Sequence, residues 1–244
     1  MTCVGYRYAH PCGDESPAVF EDCVYRDRAL YVPGERTLVL ADVHLGRDRA
    51  SNVQLPLGER RDLLSRLEAL LERFEPREVV VAGDLLHSFD HLPPTVERSL
   101  GAFERLIDER DARLVATRGN HDTMLESVFE AVVPECAVGD LLVCHGHERP
   151  SRAAGYLVGH VHPAIGIEGR KHPCYLRGPA TGAGGELLVL PAFTRLAGGV
   201  DVARVGSFRS PLLGNPDAYR PIVSDDEGDE TLEFPPLGEF RSLL

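Results

Sequence analysis

Short apolar runs recur along the first two thirds of the chain, and a polar residue follows each of them. The runs cover residues 37–41, 79–83, 114–117, 141–144 and 155–159. Continuous apolar runs of this length predict strands that are buried on both faces, as in parallel sheets.

Two amphipathic patterns lie between these runs and predict helices. Residues 57–74 place leucines on one helical stripe, at positions 63, 64, 67, 70 and 71. Residues 95–110 repeat apolar residues at helical spacing after Pro93-Pro94. Strands that alternate with helices predict βαβ units, and hence an α/β fold. In such sheets, ligands gather beyond the carboxyl ends of the strands.

The flanking segments have different patterns. Residues 1–16 are rich in proline, glycine and polar residues, which predicts a loose lead-in to one domain over residues 17–244. Residues 17–33 alternate weakly, as in a hairpin. After residue 170, a glycine-rich turn and the apolar run 187–190 predict antiparallel strands that close a second sheet. Residues 224–230 are acidic and predict a solvated loop.

Length and composition fit one large domain or two small ones. The chain has 244 residues, of which 43% are hydrophobic, enough for a substantial core. No apolar run reaches the length of a membrane span, and the N-terminus lacks the apolar region of a signal peptide. We therefore expect a cytoplasmic protein with no membrane contact.

The net charge of −12 bears on the choice of partners. Lysine occurs once, and the other 25 basic residues are arginine, which fits a salt-adapted or GC-rich source as well as an ordinary acidic cytosolic protein. An acidic surface discourages non-specific binding of nucleic acid. It still permits binding in a cleft that metal ions make positive.

The six cysteines include no C-x-x-C pair, which argues against zinc-ribbon and thioredoxin-like sites. A cytosolic location predicts free thiols. Cys144 lies within an apolar run, so we expect a small buried side chain rather than a nucleophile.

Five polar motifs stand at the ends of the predicted strands. They are Asp42-Val43-His44, Gly83-Asp84, Gly119-Asn120-His121-Asp122, His145-Gly146-His147 and Gly159-His160-Val161-His162. Together they offer three oxygen ligands and four imidazoles, which suit a pair of divalent ions. Paired ions usually hydrolyse phosphate esters or, less often, amides. Any single motif could be an N-cap, a turn or a buried histidine, but all five in order predict function.

The spacing within the motifs predicts local geometry. On an extended segment, Asp42 and His44 would share one face, as would His160 and His162. Gly119 is expected to permit a tight backbone turn before Asn120.

The ordered motifs resemble those of the calcineurin-like metallophosphoesterase superfamily. Residues 41–46, 159–165 and 190–193, with Gly198-Gly199, look like the small ICC-like phosphoesterases, whose bacterial relatives include DNA-ligase-associated phosphoesterases. The resemblance covers roughly residues 17–215. It implies a two-sheet αββα metallophosphoesterase sandwich and a centre with two divalent metal ions.

The resemblance also implies a ligand set. The first ion would be held by Asp42, His44 and His162, the second by Asn120, His145 and His160, and Asp84 would bridge them. This oxygen and nitrogen shell suits Mn²⁺, with Fe²⁺ and Zn²⁺ as alternatives. A hydroxide that bridges the two ions would be the nucleophile.

Other motif residues receive catalytic or binding roles. His121 would protonate the leaving group or steady the transition state, with Asp122 orienting its ring. His87, Arg47 and His147 are candidates for substrate contact, and a structural or solvated role remains the alternative for each.

The resulting hypothesis is a phosphodiesterase acting on nucleotides or nucleic acid. The resemblance extends it to a nuclease role with DNA-repair partners. A phosphomonoesterase and a non-catalytic scaffold with the same fold are the alternatives, although the intact motifs argue against the scaffold. Walker and G-x-G-x-x-G motifs are absent, which disfavours an ATPase or a kinase.

Overall fold

The computed structural model describes residues 19–47, 58–87, 91–224 and 230–241. The predicted lead-in over residues 1–16 and residues 225–229 of the predicted acidic loop lie outside the described residues. The boundary between lead-in and domain therefore stays a prediction.

The first large sheet has six strands in chain order. They are β1 (Val24–Arg26), β2 (Ala29–Val32), β3 (Thr37–Leu40), β4 (Glu78–Val81), β5 (Arg113–Thr117) and β6 (Val132–Val133). The first two form an antiparallel hairpin, and β3 to β6 are parallel. The predicted hairpin and the parallel βαβ strands are confirmed.

The second large sheet has seven strands in the order β16-β15-β12-β13-β9-β8-β7. In chain order these are β7 (Cys136–Val138), β8 (Leu141–Cys144), β9 (Gly155–Val158), β12 (Tyr175–Pro179), β13 (Glu186–Val189), β15 (Arg220–Ser224) and β16 (Thr231–Glu233). A small third sheet joins β10 (Pro163–Ile167), β11 (Arg170–Pro173) and β14 (Val200–Asp201).

The antiparallel strands predicted after residue 170 are confirmed, because β12 pairs antiparallel with both β13 and β15. The sequence did not predict that β13 also pairs parallel with β9 on its other side. Leu187, Leu188 and Val189 are completely buried. Burial on both faces suits a central strand, and the sequence pattern does not encode strand direction.

Two long helices follow the predicted positions. Helix α1 spans Glu59–Phe74 and helix α2 spans Pro94–Asp108. The leucine stripe of α1 and the apolar face of α2 pack on the outer face of the first sheet and form one continuous core with it. This burial confirms that helical periodicity located both elements.

Two further core layers complete the sandwich. Between the sheets, Val39, Val80 and Val115 of the first pack against Leu157 and Leu188 of the second. Beyond the second sheet, the outer layer consists of loops, the small sheet and the one-turn helix α3 (Leu237–Phe240). The two-sheet sandwich is therefore confirmed, and its second helical layer is short.

Two smaller expectations concern the thiols and the membrane. Cys23, Cys136, Cys144 and Cys174 are free thiols, and Cys144 is buried as predicted. Among the described residues, no helix combines the length and the apolarity that crossing a bilayer requires.

Candidate metal centre

The carboxyl ends of five parallel strands from both sheets meet at one edge of the sandwich. Asp42 follows β3, Asp84 follows β4 and Asn120 lies beyond β5, while His145 and His160 follow β8 and β9. Backbone hydrogen bonds join the loops, from Asp42 N to Gly83 O and from His44 N to Asp84 O, at 3.2 and 2.8 Å. The predicted position of the motifs is thus confirmed.

Left-handed backbone conformations shape these loops. Positive φ angles occur at Asp42 (52°), His44 (50°), Asp84 (52°), His160 (69°) and His162 (50°). An extended conformation was predicted for Asp42-Val43-His44 and for His160-Val161-His162, and that prediction is therefore wrong. Non-glycine residues with such angles cost about 1–3 kcal/mol each and cluster at functional sites. Tight loops, rather than strand alternation, bring these side chains together.

The first donor group consists of Asp42, His44 and His162. Their ligand atoms lie within 4.8 Å of one another. His162 Nε2 is 3.0 Å from Asp42 Oδ1 and 3.3 Å from His44 Nε2. The other carboxylate oxygen of Asp42 accepts a 2.9 Å hydrogen bond from the backbone N–H of His160, which fixes the carboxylate.

The second donor group consists of Asn120, His145 and His160. His145 Nε2 lies 2.9 Å from Asn120 Oδ1 and 3.2 Å from His160 Nδ1. The opposite ring nitrogens face backbone carbonyls, because His145 Nδ1 is 3.2 Å from Ala82 O and His160 Nε2 is 2.9 Å from Arg209 O. A carbonyl only accepts, so these outer nitrogens carry the protons.

The protonation of these rings follows from their burial. Burial lowers the pKa of His145 to about 4 and lowers the pKa of His160 below its ordinary value. Both rings are therefore neutral at pH 7, with one proton each. Since that proton is on the outer nitrogen, the inner nitrogens present lone pairs to each other.

Asp84 lies between the two groups. Its Oδ1 accepts a 2.9 Å hydrogen bond from the backbone N–H of His121. Its Oδ2 lies 3.8 Å from His44 Nε2 and 3.4 Å from His145 Nε2, so one oxygen faces both donor groups. Burial and the neighbouring Asp42 raise the pKa of Asp84 to about 8.

The donor chemistry fits two cations. Lone pairs of imidazoles, carboxylates and an amide converge within hydrogen-bond distance. In the second donor group, neither His145 Nε2 nor His160 Nδ1 carries a proton in the tautomers assigned above. His44 Nδ1 is also buried without a hydrogen-bond partner among the described residues. Neutral imidazole with carboxylate and amide oxygen is the donor set of Mn²⁺, Fe²⁺ and Zn²⁺ sites.

Two motif glycines leave space for this arrangement. A Cβ on Gly119 would lie 2.1 Å from Asp84 Oδ1, and one on Gly83 would lie 2.3 Å from His145 Nδ1. Gly83 also has a φ of 74°, whereas the φ of Gly119 is not in the left-handed region. The turn predicted at Gly119 therefore does not use a left-handed φ, and the position also requires space for the Asp84 carboxylate.

His121, His87 and Arg47 lie together beside the first donor group. The rings of His121 and His87 are stacked at 5.6 Å with a 15° interplanar angle, and each lies 5.5 Å from the His44 ring. Burial, followed by the positive charge of Arg47, lowers the pKa of both His87 and His121. The structure thus brings three predicted substrate-contacting or catalytic side chains to one flank.

Asp122 connects two of the loops. Its Oδ1 accepts a 2.8 Å hydrogen bond from Leu86 N, and its Oδ2 accepts one of 2.9 Å from Gly119 N. These bonds fix the turn that carries Asn120 and His121. The role predicted for Asp122, orienting the ring of His121, stays a prediction.

His147 lies on the opposite flank, beside the second donor group. Its ring centroid is 5.1 Å from that of His145, and its Nε2 is 3.7 Å from Glu148 Oε1. Its Nδ1 is buried without a hydrogen-bond partner among the described residues. A substrate contact at His147 stays a prediction.

The sequence reasoning missed the backbone acceptors that orient the ligands. Arg209 O and Ala82 O set the tautomers of His160 and His145. Ala41 O and Asp42 O accept hydrogen bonds from Phe193 N and Thr194 N, which attach residues 193–194 to the first loop. A backbone carbonyl has no side-chain signature, so only the folded chain reveals these contacts.

A sequence model of one family matches more than half of the chain. The family is described as calcineurin-like phosphoesterase, and the match covers residues 35–174, which include all five motifs. Among curated proteins, none matches this chain.

Several solved structures are similar to this fold. The crystal structure of Pseudomonas putida nuclease MPE shares 25% sequence identity at a TM-score of 0.57, over 81% of this chain and 88% of that one. The E. coli phosphoesterase Yfce shares 15% identity at a TM-score of 0.43, over 82% and 98%. A conserved uncharacterized protein of Streptococcus pneumoniae, a predicted phosphoesterase, shares 14% sequence identity at a TM-score of 0.31. The match covers 81% of this chain and 95% of that one.

Proposed function

This chain belongs to the calcineurin-like phosphoesterase family, and we propose that it is a binuclear-metal phosphodiesterase acting on nucleotides or nucleic acid. Membership makes the protein a phosphate-ester hydrolase that depends on divalent metal. The observation that carries the binuclear assignment is the position of Asp84, whose Oδ2 faces both donor groups.

The two donor groups define the proposed ligands. One ion would be held by Asp42, His44 and His162, the other by Asn120, His145 and His160, with Asp84 shared between them. Mn²⁺ is the proposed metal, since the set contains hard oxygens and imidazoles but no thiolate. Bound there, the pair of ions would supply an activated water and neutralise charge on the phosphoryl oxygens.

The surrounding side chains have separate tasks in this proposal. His121 donates a proton to the leaving-group oxygen, because its ring lies beside the first donor group and its backbone N–H is fixed on Asp84. Its pKa is lowered in the free protein, so the negative charge of the bound substrate has to favour the protonated ring. Arg47 and His87, on the same flank, bind a phosphoryl oxygen of the substrate. His147 contacts the substrate from the other side.

Charge favours a diester over a monoester. A diester has one negative charge and a monoester about two, so a diester meets less repulsion from a protein of net charge −12. Among the described residues, Arg47 is the arginine whose charge acts on the ring of His121, whereas monoester sites usually add more such donors. The similarity to a nuclease at 25% identity also supports a diester substrate. A role in DNA repair, with partners from that process, would follow from nuclease activity.

A substrate panel with Mn²⁺-loaded protein tests this proposal. The matched pair is p-nitrophenyl phosphate and bis(p-nitrophenyl) phosphate, and cyclic nucleotides and single-stranded DNA extend the panel. We expect kcat/KM for the diester to exceed that for the monoester. An excess of about tenfold or more for the monoester would replace the proposal with a phosphatase. Metal binding without turnover of any substrate would favour the scaffold.

A further inference from the structure

A small cavity adjoins His162 of the first donor group, and His121 is not among its lining residues. Its volume is about 150 Å³, and His162 forms part of its wall. Arg28, Lys171 and Arg195 also line it, while no aspartate or glutamate does among the described residues. The remaining lining residues are proline, alanine and glycine, so all of the formal charge in the lining is positive, in a chain with 38 acidic and 26 basic residues.

Lys171, the sole lysine of the chain, supplies one of the three positive charges of the lining. Its Nζ donates to Gly198 O at 3.3 Å and Gly199 O at 3.1 Å, both neutral acceptors. In the part of the chain that the structure describes, it forms no ion pair with a carboxylate. These bonds hold the ammonium group at the cavity, and they leave its positive charge unneutralised.

The turn that binds Lys171 contacts the backbone of a proposed metal ligand. A Cβ on Gly199 would be 3.3 Å from His162 O, and the adjacent Val200 N donates a 2.9 Å hydrogen bond to that oxygen. His162 and Lys171 also line the same cavity. A group bound in this cavity would therefore adjoin the residue that is proposed to hold one of the ions.

The two arginines are held in fixed positions. Arg28 donates from Nη1 to Ala192 O and Thr194 O, at 3.2 and 2.8 Å. Arg195 pairs with Asp62 at 2.9 Å, yet its side chain is 53% exposed. Fixed donors lose little conformational freedom when an anion binds. The wall is therefore pre-organised for an anion.

The cavity has room for a phosphate group. Its volume of about 150 Å³ is well above the roughly 10–15 Å³ that a single water molecule requires.

We propose that this cavity binds a phosphate group next to the scissile one, which makes the substrate a polynucleotide strand. Mononucleotides and cyclic nucleotides lack a second phosphodiester to place there. The inference rests on the proposed diesterase function and narrows its substrate class. The competing explanation is that Lys171 only braces the Gly198-Gly199 turn and, through it, His162.

A charge-removal series tests the cavity. The variant Lys171→Gln removes the charge, Lys171→Arg retains it, and Arg170→Gln removes one positive charge from the neighbouring exposed residue, which does not line the cavity. Each Mn²⁺-loaded protein is assayed on bis(p-nitrophenyl) phosphate and on a single-stranded oligonucleotide. Binding of the labelled oligonucleotide is measured separately by fluorescence anisotropy, with Ca²⁺ in place of Mn²⁺, across a salt series.

For Lys171→Gln we expect kcat/KM on the oligonucleotide to fall about tenfold, as for a lost hydrogen bond to a charged group. Activity on bis(p-nitrophenyl) phosphate should not change. The slope of log affinity against log salt should become shallower by about 0.7, the value for one contact to a single strand. Lys171→Arg and Arg170→Gln should both resemble the wild type.

Three results would overturn the proposal. Equal losses on both substrates, with lower metal content, would show that Lys171 braces His162. Equal losses of oligonucleotide binding in Lys171→Gln and Arg170→Gln would show a general charge effect. Unchanged oligonucleotide binding in Lys171→Gln would show that the cavity holds no phosphate. If the wild type fails to cleave diesters, the proposed function fails, and the anisotropy series still decides the cavity.

Discussion

Nε2 of His145 lies 3.2 Å from Nδ1 of His160, and each of these two nitrogens presents a lone pair to the other. The proton of each ring lies on the other nitrogen, which donates it to a backbone carbonyl, Ala82 O for His145 and Arg209 O for His160. Two lone pairs at this distance repel each other unless a cation lies between them. In these tautomers, a bound cation would relieve the repulsion within the second donor group.

Metal content is the first prediction. Purified protein loaded with Mn²⁺ should hold up to two ions, and Asp84→Ala should lose most of that capacity, because one carboxylate oxygen faces both donor groups. Elemental analysis measures the content. Glu233→Ala, which removes an exposed carboxylate on β16, is the matched control. The ligand assignment would be contradicted if the wild-type protein holds no metal after Mn²⁺ loading and Asp84→Ala has the same metal content.

The second prediction separates a proton donor from a ligand. His121→Asn should keep its metal and lower turnover by about 10²- to 10⁴-fold on a diester with a poor leaving group. His145→Ala should instead lose metal, because the His145 ring lies inside the second donor group. Metal content and kcat are compared in both variants. Full activity of His121→Asn on that substrate would remove His121 from the mechanism.

Periodicity predicted much of the fold from sequence alone. Each apolar run from residue 37 to residue 159 became a strand, and the leucine stripe became α1, because burial dictates residue type. The parallel pairing of β13 was not predictable in this way. Both parallel and antiparallel central strands require apolar residues on both faces, so the pattern carries no direction.

The candidate metal centre was also predictable from the sequence only in part. Motif order correctly placed the seven predicted ligands at adjacent strand ends, because parallel strands end at a common edge. The left-handed angles at Asp42 and His162 were missed because few non-glycine residues adopt that conformation, although aspartate and histidine do so more often than most. The cation cavity was missed because Arg28, Lys171 and Arg195 are distant in sequence, and only folding brings them together.

The third prediction concerns backbone strain at His44, whose φ is 50°. His44→Gly and His44→Ala lose the same buried ring, but only glycine adopts this angle without strain. The metal-free glycine variant should therefore be more stable than the alanine variant by about 1–2 kcal/mol. Urea unfolding in the presence of a chelator measures the difference.

A matched pair at His145 serves as the control for this comparison. The φ of His145 is not in the left-handed region. There the order should reverse, with His145→Gly less stable than His145→Ala by about 0.5–1 kcal/mol, the usual entropic cost of glycine. The same order at both positions would refute the strain assignment at His44.

The last prediction concerns pH and the metal-free protein. Burial and the charges of Asp42 and Asp122 raise the pKa of Asp84 from 3.8 to about 8, against the opposing effects of Arg47 and the N–H of His121. Between these two pH values the folded protein retains a proton on Asp84 that the unfolded chain has released. The contribution of Asp84 to the stability of the metal-free protein should therefore fall as pH rises from about 4 to about 8, whereas buried histidines such as His145, whose pKa is lowered, contribute in the opposite direction.

Asp84→Asn isolates this contribution, since the amide does not ionise. In chelator-treated samples, the variant should gain stability relative to wild type between pH 5 and pH 8, by a few kcal/mol at about 1.4 kcal/mol per pKa unit. Mn²⁺ at pH 8 should reverse the order, because the wild-type carboxylate then binds cations while the amide variant lacks the shared ligand. Thermal unfolding at both pH values, with and without Mn²⁺, gives the four comparisons. A constant difference between variant and wild type across pH in the chelated samples would show that Asp84 keeps an ordinary pKa. In that case, burial of the Asp84 carboxylate between the two donor groups would not destabilise its charged form, and a bound metal ion would have no such destabilisation to offset.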